Sequence, residues 1–337
     1  MRQVADSIIQ GEAFLYRPAI AVRVRWDQNT DTPLPPEEPA GSNPPDGAII
    51  DYWLRSTVSG PVTLEVADSA GQSLRRYSSA DLPEAPVEGR NIGDYWIRPP
   101  QVVSIHAGMH RFVWDLHYPP PAVLHFSYPI TAIYRNTPPT PQGPWAQPGR
   151  YTVKLTVNGK TYNQPLTVRM DPRVKIPTAG LAQQFTLSWE LYRALDRDLR
   201  ALRQVQAVRS QLSVLREKAP GTVAGAIVAM ERKVSAFEGS DDGYVWDVHY
   251  ATPPSLDQPD AFANLNAQLA SLYGNLQGVD ATPTTQVVAA TGERRRALAR
   301  LLQAWEAFKA GDLTRLNRQL GQTNLPAVET TKAVETR

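Results

Sequence analysis

The apolar and polar positions follow two different periods in the two halves of the chain. Up to about residue 171, apolar residues recur at every second position in short runs, which is typical of half-buried β-strands. Beyond residue 181 they recur in steps of three and four, which is typical of amphipathic helices. The pattern therefore predicts β structure followed by α structure.

Turn residues divide the first half into short strands. Alternating runs at 48–55 and 62–66 are separated by a Ser-Gly-Pro turn, and a third run covers 111–118. The clearest hairpin prediction is 151–168, because Asn158-Gly159 is a preferred type I′ turn pair. Short strands at this spacing predict an antiparallel β-sandwich. Six residues are predicted to have structural roles in it: Trp114, Asp115, Gly149, Tyr151, Asn158 and Gly159.

The second half predicts about four amphipathic helices and a short additional piece. Their apolar stripes are wide enough to pack against one another in an antiparallel bundle. Glycine or proline residues follow several of the stripes and indicate where those helices end. The predicted stripes cover 181–218, 223–237, 262–276, 288–308 and 313–320.

The remaining segments are predicted as linkers and tails. Of the 30 prolines, 23 lie between Pro18 and Pro172, which disfavours helices there. Residues 1–45 are interpreted as a strand and proline-rich linker, the remnant of a preceding domain. The β domain is placed at 46–171, a linker at 172–180, the helical domain at 181–323 and a disordered tail at 324–337.

Composition excludes several classes of protein. Lys and Arg number 35 and Asp and Glu 33, and this near-balance argues against a nucleic-acid or anionic-membrane binder. The 337 residues include no cysteine, which excludes disulfides, thiolate metal sites and a cysteine nucleophile. No apolar run is long enough to span a membrane, and the first residues do not form a signal segment. No cofactor is predicted.

Several motifs resemble one bacterial family. The stretches RVRW at 23–26, DTPLPPEEPAG at 31–41 and NPPDGAIIDY at 43–52 are the first of them. With HRFVWDL at 110–116 and PGRYTV at 148–153, they resemble the C-terminal region of large exported proteins that carry an N-terminal sortilin-like β-propeller. Those propellers are built from BNR (Asp-box) repeats, and the proteins are often labelled glycosyl hydrolases.

The resemblance implies a fold and a role. HRFVWDL and PGRYTV are also similar to the Ig-like sandwich of flagellar hook-capping proteins, which implies an Ig-like sandwich followed by the helical bundle. The implied role is a non-catalytic accessory module that braces or presents a β-propeller, in cis or in trans, in an exported protein. The nearest Asp-box-like stretch, at 240–246, has its glycine one place early, and the sequence has no internal repeat, so no propeller is predicted in this chain.

A second hypothesis is a carbohydrate-binding protein or glycoside hydrolase, with polysaccharide as the partner. Flat aromatic rings in the predicted loops can stack on sugar rings, although the same rings can instead pack the ends of the sandwich. The candidate ligand-binding residues are Trp53, Tyr95, Trp96, Tyr128, Tyr134 and Trp145.

Catalytic and metal-binding patterns are weak. Four histidines, His106, His110, His117 and His125, cluster near Asp115, but residues four apart in a strand lie about 13 Å apart, too far to share a metal. The acids that could form a glycosidase pair are scattered without a distinctive spacing: Asp51, Glu65, Asp94 and Asp115. The carboxylate of Asp115 is also expected to bond loop amides. No catalytic or metal-binding residue is assigned.

Overall fold

A computed structural model describes residues 10–25, 37–39, 41, 44–87, 90, 92–129, 133–240 and 260–331. Most of the proline-rich stretch before residue 45, the Asp-box-like stretch after Ser240, and 332–337 lie outside the described residues. Contacts divide the chain into two compact units. Among the described residues, those from 10 to 120 and from 127 to 181 form the β unit, and 121–126 with those from 182 to 331 form the helical unit.

The β unit contains two sheets. The three-stranded sheet has the order β1-β3-β6, and the five-stranded sheet has the order β2-β8-β7-β4-β5. All pairings are antiparallel except that of β2 with β8, which is parallel. The strands are β1 (Ala13–Leu15), β2 (Ala21–Arg23), β3 (Ala48–Leu54), β4 (Thr63–Ala67), β5 (Ser73–Ser78), β6 (Gly108–Trp114), β7 (Gly149–Val157) and β8 (Lys160–Met170).

The predicted hairpin between β7 and β8 is confirmed. Val157 lies opposite Lys160, and the two residues between them are Asn158 at φ 48° and Gly159 at φ 78°. Both turn residues are therefore left-handed, as a type I′ turn requires. Asparagine and glycine are the residues that adopt this conformation at least cost.

One hydrophobic core serves both sheets. The alternating residues Ile50, Tyr52 and Leu54 of β3 are buried, and so are Val153 and Leu155 of β7. These side chains belong to a single cluster that draws on strands of both sheets. The period-two pattern therefore gives each strand one buried face, and burial of those faces stabilises the unit.

The first described residues are part of the sheets. β1 pairs with β3, and β2 pairs with β8, so a segment of eleven residues, 13–23, supplies a strand to each sheet. The amide of Gln164 donates to the carbonyl of Leu15 at 3.0 Å and fixes the chain between the two strands. The sequence set these residues apart from the β domain, whereas the structure places them within the β unit.

The helical unit contains four long helices and a short fifth among its described residues. They are α1 (Thr178–Lys218), α2 (Gly221–Glu238), α3 (Phe262–Gln277), α4 (Thr285–Phe308) and α5 (Thr314–Gln322), with a π-helical segment (Lys309–Leu313) between α4 and α5. Their apolar stripes meet in one cluster that includes Leu202, Tyr273 and Trp305. Within the described ranges, no helix has the length and apolarity needed to cross a membrane.

Residues 121–126 belong to the helical unit although they are far from it in sequence. Val123 is buried in the helical core, and Leu124 packs against that core. The backbone N–H of Leu124 donates to Oδ1 of Asn266 at 3.3 Å. Because this stretch was predicted as a proline-rich loop, its contribution to a helical core was not expected.

The chain remains packed after α5. A disordered tail was predicted from residue 324, but this expectation does not hold for 324–331. Val328 is buried in the helical core, and its backbone is hydrogen-bonded to Asn317. A single apolar residue in a polar stretch carries no periodic signal, which is why the pattern missed it.

We expect Gly47→Ala to destabilise the β unit by about 3 kcal/mol or more. Gly47 has φ 135°, and a Cβ at this position would lie 2.1 Å from the carbonyl oxygen of Trp114. Gly71→Ala is the matched control, since Gly71 has φ 81° but no atom within 4 Å of its Cβ position. Backbone strain alone predicts a loss of about 1 kcal/mol there.

Urea unfolding followed by tryptophan fluorescence measures both free energies. If the two variants lose the same free energy of unfolding, the close approach of Gly47 to Trp114 does not contribute to stability.

Candidate functional site

Three aromatic rings come together in the β unit. Tyr95 and Trp96 lie in a 3-10 turn (Asp94–Trp96), and Tyr134 lies in a turn at 133–137. The ring of Trp96 is 5.1 Å from that of Tyr95 and 5.8 Å from that of Tyr134. Trp96 is 8% exposed, whereas Tyr95 is 49% and Tyr134 51% exposed. We call this group, two half-exposed phenols on a buried indole, the aromatic patch.

Backbone hydrogen bonds join the two turns that carry the aromatic patch. The N–H of Arg135 donates to the carbonyl of Tyr95 at 3.1 Å, and that of Thr137 donates to Trp96 at 3.1 Å. The N–H of Arg98 then donates to Thr137 at 2.9 Å. The turns are therefore paired like short strands, which fixes the backbone positions that carry the three rings.

The glycine before the 3-10 turn also positions Tyr95. A Cβ on Gly93 would lie 2.9 Å from the ring of Tyr95, so the ring packs directly over the Gly93 backbone. A larger residue would displace the ring. The half-exposed ring of Tyr95 thus contacts the main chain of Gly93 and the ring of Trp96.

Arg98 connects the aromatic patch to polar groups of neighbouring loops. Its Nε donates to Oδ1 of Asn136 at 2.9 Å. Its Nη2 lies 3.4 Å from a carboxylate oxygen of Asp46, and its Nη1 lies 3.7 Å from one of Asp115. All three ionic side chains are partly exposed, so carboxylate and guanidinium groups meet solvent around Arg98.

The other three aromatic candidates have different neighbours. Trp53 lies in β3 opposite Met109 and is half-buried. Tyr128 is 2% exposed, and its hydroxyl accepts a hydrogen bond from the backbone of Val87 at 3.4 Å. Trp145 packs against the His117 ring at 3.9 Å. The structure therefore brings three of the six predicted residues together and gives Trp53, Tyr128 and Trp145 other neighbours.

Trp114 and Tyr151 pack against each other in the core of the β unit. Trp114 is fully buried, and its indole N–H donates to the carbonyl of His117 at 3.0 Å. Its ring meets that of Tyr151 edge to face at 5.6 Å. The Tyr151 hydroxyl donates to the carbonyl of Gln147 at 2.6 Å, just before Gly149 begins β7.

Asp115 shapes the turn after β6. Its Oδ1 accepts the backbone N–H of His117 at 3.1 Å, which is the bond to a loop amide expected from the sequence. Nδ1 of His117 donates to the carbonyl of Asp115 at 2.8 Å. Leu116 between them has φ 62°, so these bonds hold a left-handed residue in a tight turn.

The candidate histidines and carboxylates have structural partners. Nε2 of His110 lies 2.7 Å from the carbonyl of His106. Each candidate acid forms an ion pair: Asp51 with Arg111, Glu65 with Lys154, Asp94 with Arg90 and Asp115 with Arg98. Among the residues that the structure describes, no group of three or more His, Asp or Glu side chains could hold a metal ion.

A buried acid in the helical unit was not predicted. Asp198 of α1 is fully buried, and its Oδ2 accepts a hydrogen bond from Nδ2 of Asn266 at 2.9 Å. Burial raises the pKa of Asp198 well above its usual range. The signal was present in the sequence, since Asp198 lies three residues after Leu195 and four before Leu202, on the apolar stripe of α1.

No family model, no curated protein and no solved structure matches this chain.

We expect His117 to make the β unit acid-sensitive. Burial lowers the pKa of His117 to about 4, whereas an unfolded histidine titrates near 6.5. Its contribution to stability is therefore complete above about pH 6.5 and is lost as the pH falls to about 4. A shift of this size corresponds to about 3 kcal/mol.

The His117→Asn variant tests this expectation, because an amide can still donate to the Asp115 carbonyl but does not titrate. Urea unfolding at a series of pH values should show a flatter stability profile between pH 6.5 and 4 for the variant. Parallel profiles would mean that burial of His117 does not set the acid sensitivity.

Proposed function

We propose that this chain is a non-catalytic binding module and that the aromatic patch recognises carbohydrate. The observation that carries the proposal is the pair of half-exposed rings of Tyr95 and Tyr134, both supported by the buried ring of Trp96. An aromatic face stacks on the C–H groups of a sugar ring and buries apolar area without many rotatable bonds. Rings that are already fixed before binding lose little conformational freedom when a ligand arrives.

The polar groups around Arg98, which follows Trp96 by two residues, fit a sugar as well. The carboxylates of Asp46 and Asp115 accept hydrogen bonds, Arg98 donates them, and the amide of Asn136 can do both. Sugar hydroxyls are both donors and acceptors, so such a mixed set complements them. Because Asn136 and Tyr134 belong to the same turn, stacking and hydrogen bonding would act on one ligand.

We propose an Ig-like sandwich for the β unit and an antiparallel bundle for the helical unit. Two sheets around one core support the first, as does the bond from the Tyr151 hydroxyl to the Gln147 carbonyl. Ig domains contain a similar tyrosine whose hydroxyl bonds to the backbone a few residues upstream. For the helical unit, the support is the single core that the helices share.

We expect the wild-type chain to be retarded in native gels that contain its polysaccharide, tested with a panel of xylan, pectin, glucan and chitosan. Tyr95→Ala with Tyr134→Ala should weaken retardation at least about tenfold, because both stacking surfaces are removed. Leu82→Ala is the control, since Leu82 is 90% exposed in another loop.

Circular dichroism confirms that the double variant is folded. Absence of retardation by every polysaccharide, or equal retardation of the double variant and the wild type, would reject carbohydrate recognition at the patch.

A second candidate function is an accessory module that braces a β-propeller of an exported, glycosyl-hydrolase-like protein. The observation that favours it is the segment 13–23, which supplies β1 to one sheet and β2 to the other. A domain fused ahead of such a segment would be attached at a point held by two sheets. Asn158 and Gln164 add side-chain hydrogen bonds to Glu12 and Leu15.

The bracing proposal predicts that fusion to the β unit stabilises a propeller. A sortilin-like propeller from a protein that carries the NPPDGAIIDY-like stretch should unfold at a higher temperature when it is fused to this chain. Gln164→Ala should reduce the gain, because it removes the bond to Leu15. No association in calorimetry, together with a fused protein no more stable than its parts, would reject bracing.

A further inference from the structure

The segment that follows α5 lies against the helices without forming a helix or strand of its own. Residues 325–331 belong to no helix or sheet, and we call them the tail segment. Val328 is 2% exposed, whereas its neighbours Ala327 and Glu329 are exposed. Asn324, at φ 56°, turns the chain away from the end of α5. The side chain of Val328 is therefore inserted into the core of the helical unit, that of Leu325 packs against the same core, and the side chains on either side of Val328 face solvent.

Two side-chain amides hold the backbone of the tail segment. Nδ2 of Asn317 donates to the carbonyl of Val328 at 3.0 Å, and the N–H of Val328 donates to Oδ1 of Asn317 at 2.8 Å. Nε2 of Gln211 donates to the carbonyl of Glu329 at 2.7 Å, and the N–H of Glu329 donates to its Oε1 at 3.0 Å. Each amide thus satisfies both backbone groups of one residue.

The two amides bind consecutive residues in the way that two neighbouring strands bind a β-strand between them. In an extended chain, the backbone groups of consecutive residues point to opposite sides. Asn317 belongs to α5 and Gln211 to α1, so consecutive residues are bound from two different helices. Four hydrogen bonds therefore bind the backbone, whichever side chains it carries, and the apolar core accepts the side chain of Val328.

We propose that the face bounded by Gln211 and Asn317 is a docking site for an extended peptide with a branched apolar residue at the position of Val328. The tail segment occupies this site in cis. In domains that bind a peptide at a sheet edge, an edge strand pairs with the peptide backbone and a pocket accepts a side chain. Here side-chain amides take the place of the edge strand. The partner class is an extended peptide segment, and it is independent of the carbohydrate proposed for the β unit.

Tethering sets how the site behaves. A short tether gives the tail segment an effective concentration in the millimolar range, so a peptide in trans binds only when it outcompetes the tail. The tail segment is therefore an internal competitor. Any change that removes Val328 from the core opens the site to other segments, including the tail of a second copy of the chain.

The test uses the full chain with Val328→Asp, which places a charge where the core is apolar. A fluorescein-labelled peptide TNLPAVETT, the sequence of residues 323–331, is titrated and followed by fluorescence anisotropy. We expect Val328→Asp to bind the peptide about a hundredfold more tightly than the wild type does, because the internal competitor is gone. The same peptide with Asp in place of Val should not bind.

Two further variants assign the binding to the amides. Gln211→Ala, added to Val328→Asp, should weaken peptide binding at least about tenfold, since two hydrogen bonds are lost. Gln319→Ala on the exposed face of α5 is the matched control and should leave binding unchanged. A folded Val328→Asp chain that does not bind the peptide, or equal binding by the wild type, would overturn the proposal.

A second measurement decides the question if Val328→Asp does not fold. In the otherwise wild-type chain, Gln211→Ala with Asn317→Ala should increase hydrogen exchange at the amides of Val328 and Glu329, while amides within α3 remain protected. Unchanged protection at Val328 and Glu329 would show that the amides do not hold the tail segment, and the docking site would be rejected.

Discussion

A buried backbone N–H or C=O group must have a hydrogen-bond partner, and the loops of this protein meet that requirement with side chains. Asp115 accepts the N–H of His117, and Asn266 accepts that of Leu124. Gln211 pairs with both backbone groups of Glu329. Strands and helices satisfy their own backbones, and the turns at 95–98 and 133–137 satisfy each other's, whereas these three irregular stretches depend on an amide or a carboxylate.

The parts that were predictable from the sequence are those with a local signal. The β7–β8 hairpin follows from its turn pair and alternation, and the helices follow from stripes that repeat over several turns. The hydrogen bonds between Gln211 and Glu329 have no such signal, because the two residues are 118 positions apart in the sequence. The same holds for Leu124 and Asn266, which are 142 residues apart. Isolated polar residues of this kind look like ordinary surface positions until the fold brings them together.

The aromatic patch shows the same limit at the candidate site. The sequence pointed to six aromatic residues near predicted loops, but their assembly depends on which loops pair. The backbone bonds between 95–98 and 133–137 bring Tyr95 and Tyr134 to one indole. Trp145, with an equally suggestive position in the sequence, packs against His117 instead. The polar contribution of Arg98 could not be foreseen, because Asp46 and Asn136 reach it from distant loops.

Asp198 and His117 give the two units opposite responses to protons. The folded helical unit binds a proton on Asp198 more tightly than the unfolded chain does, so the stability that this group contributes falls as the pH rises above the usual range of an aspartate. The folded β unit resists protonation of His117, so the stability that His117 contributes falls as the pH drops towards 4. Through these two groups, a single change of pH shifts the stabilities of the two units in opposite directions.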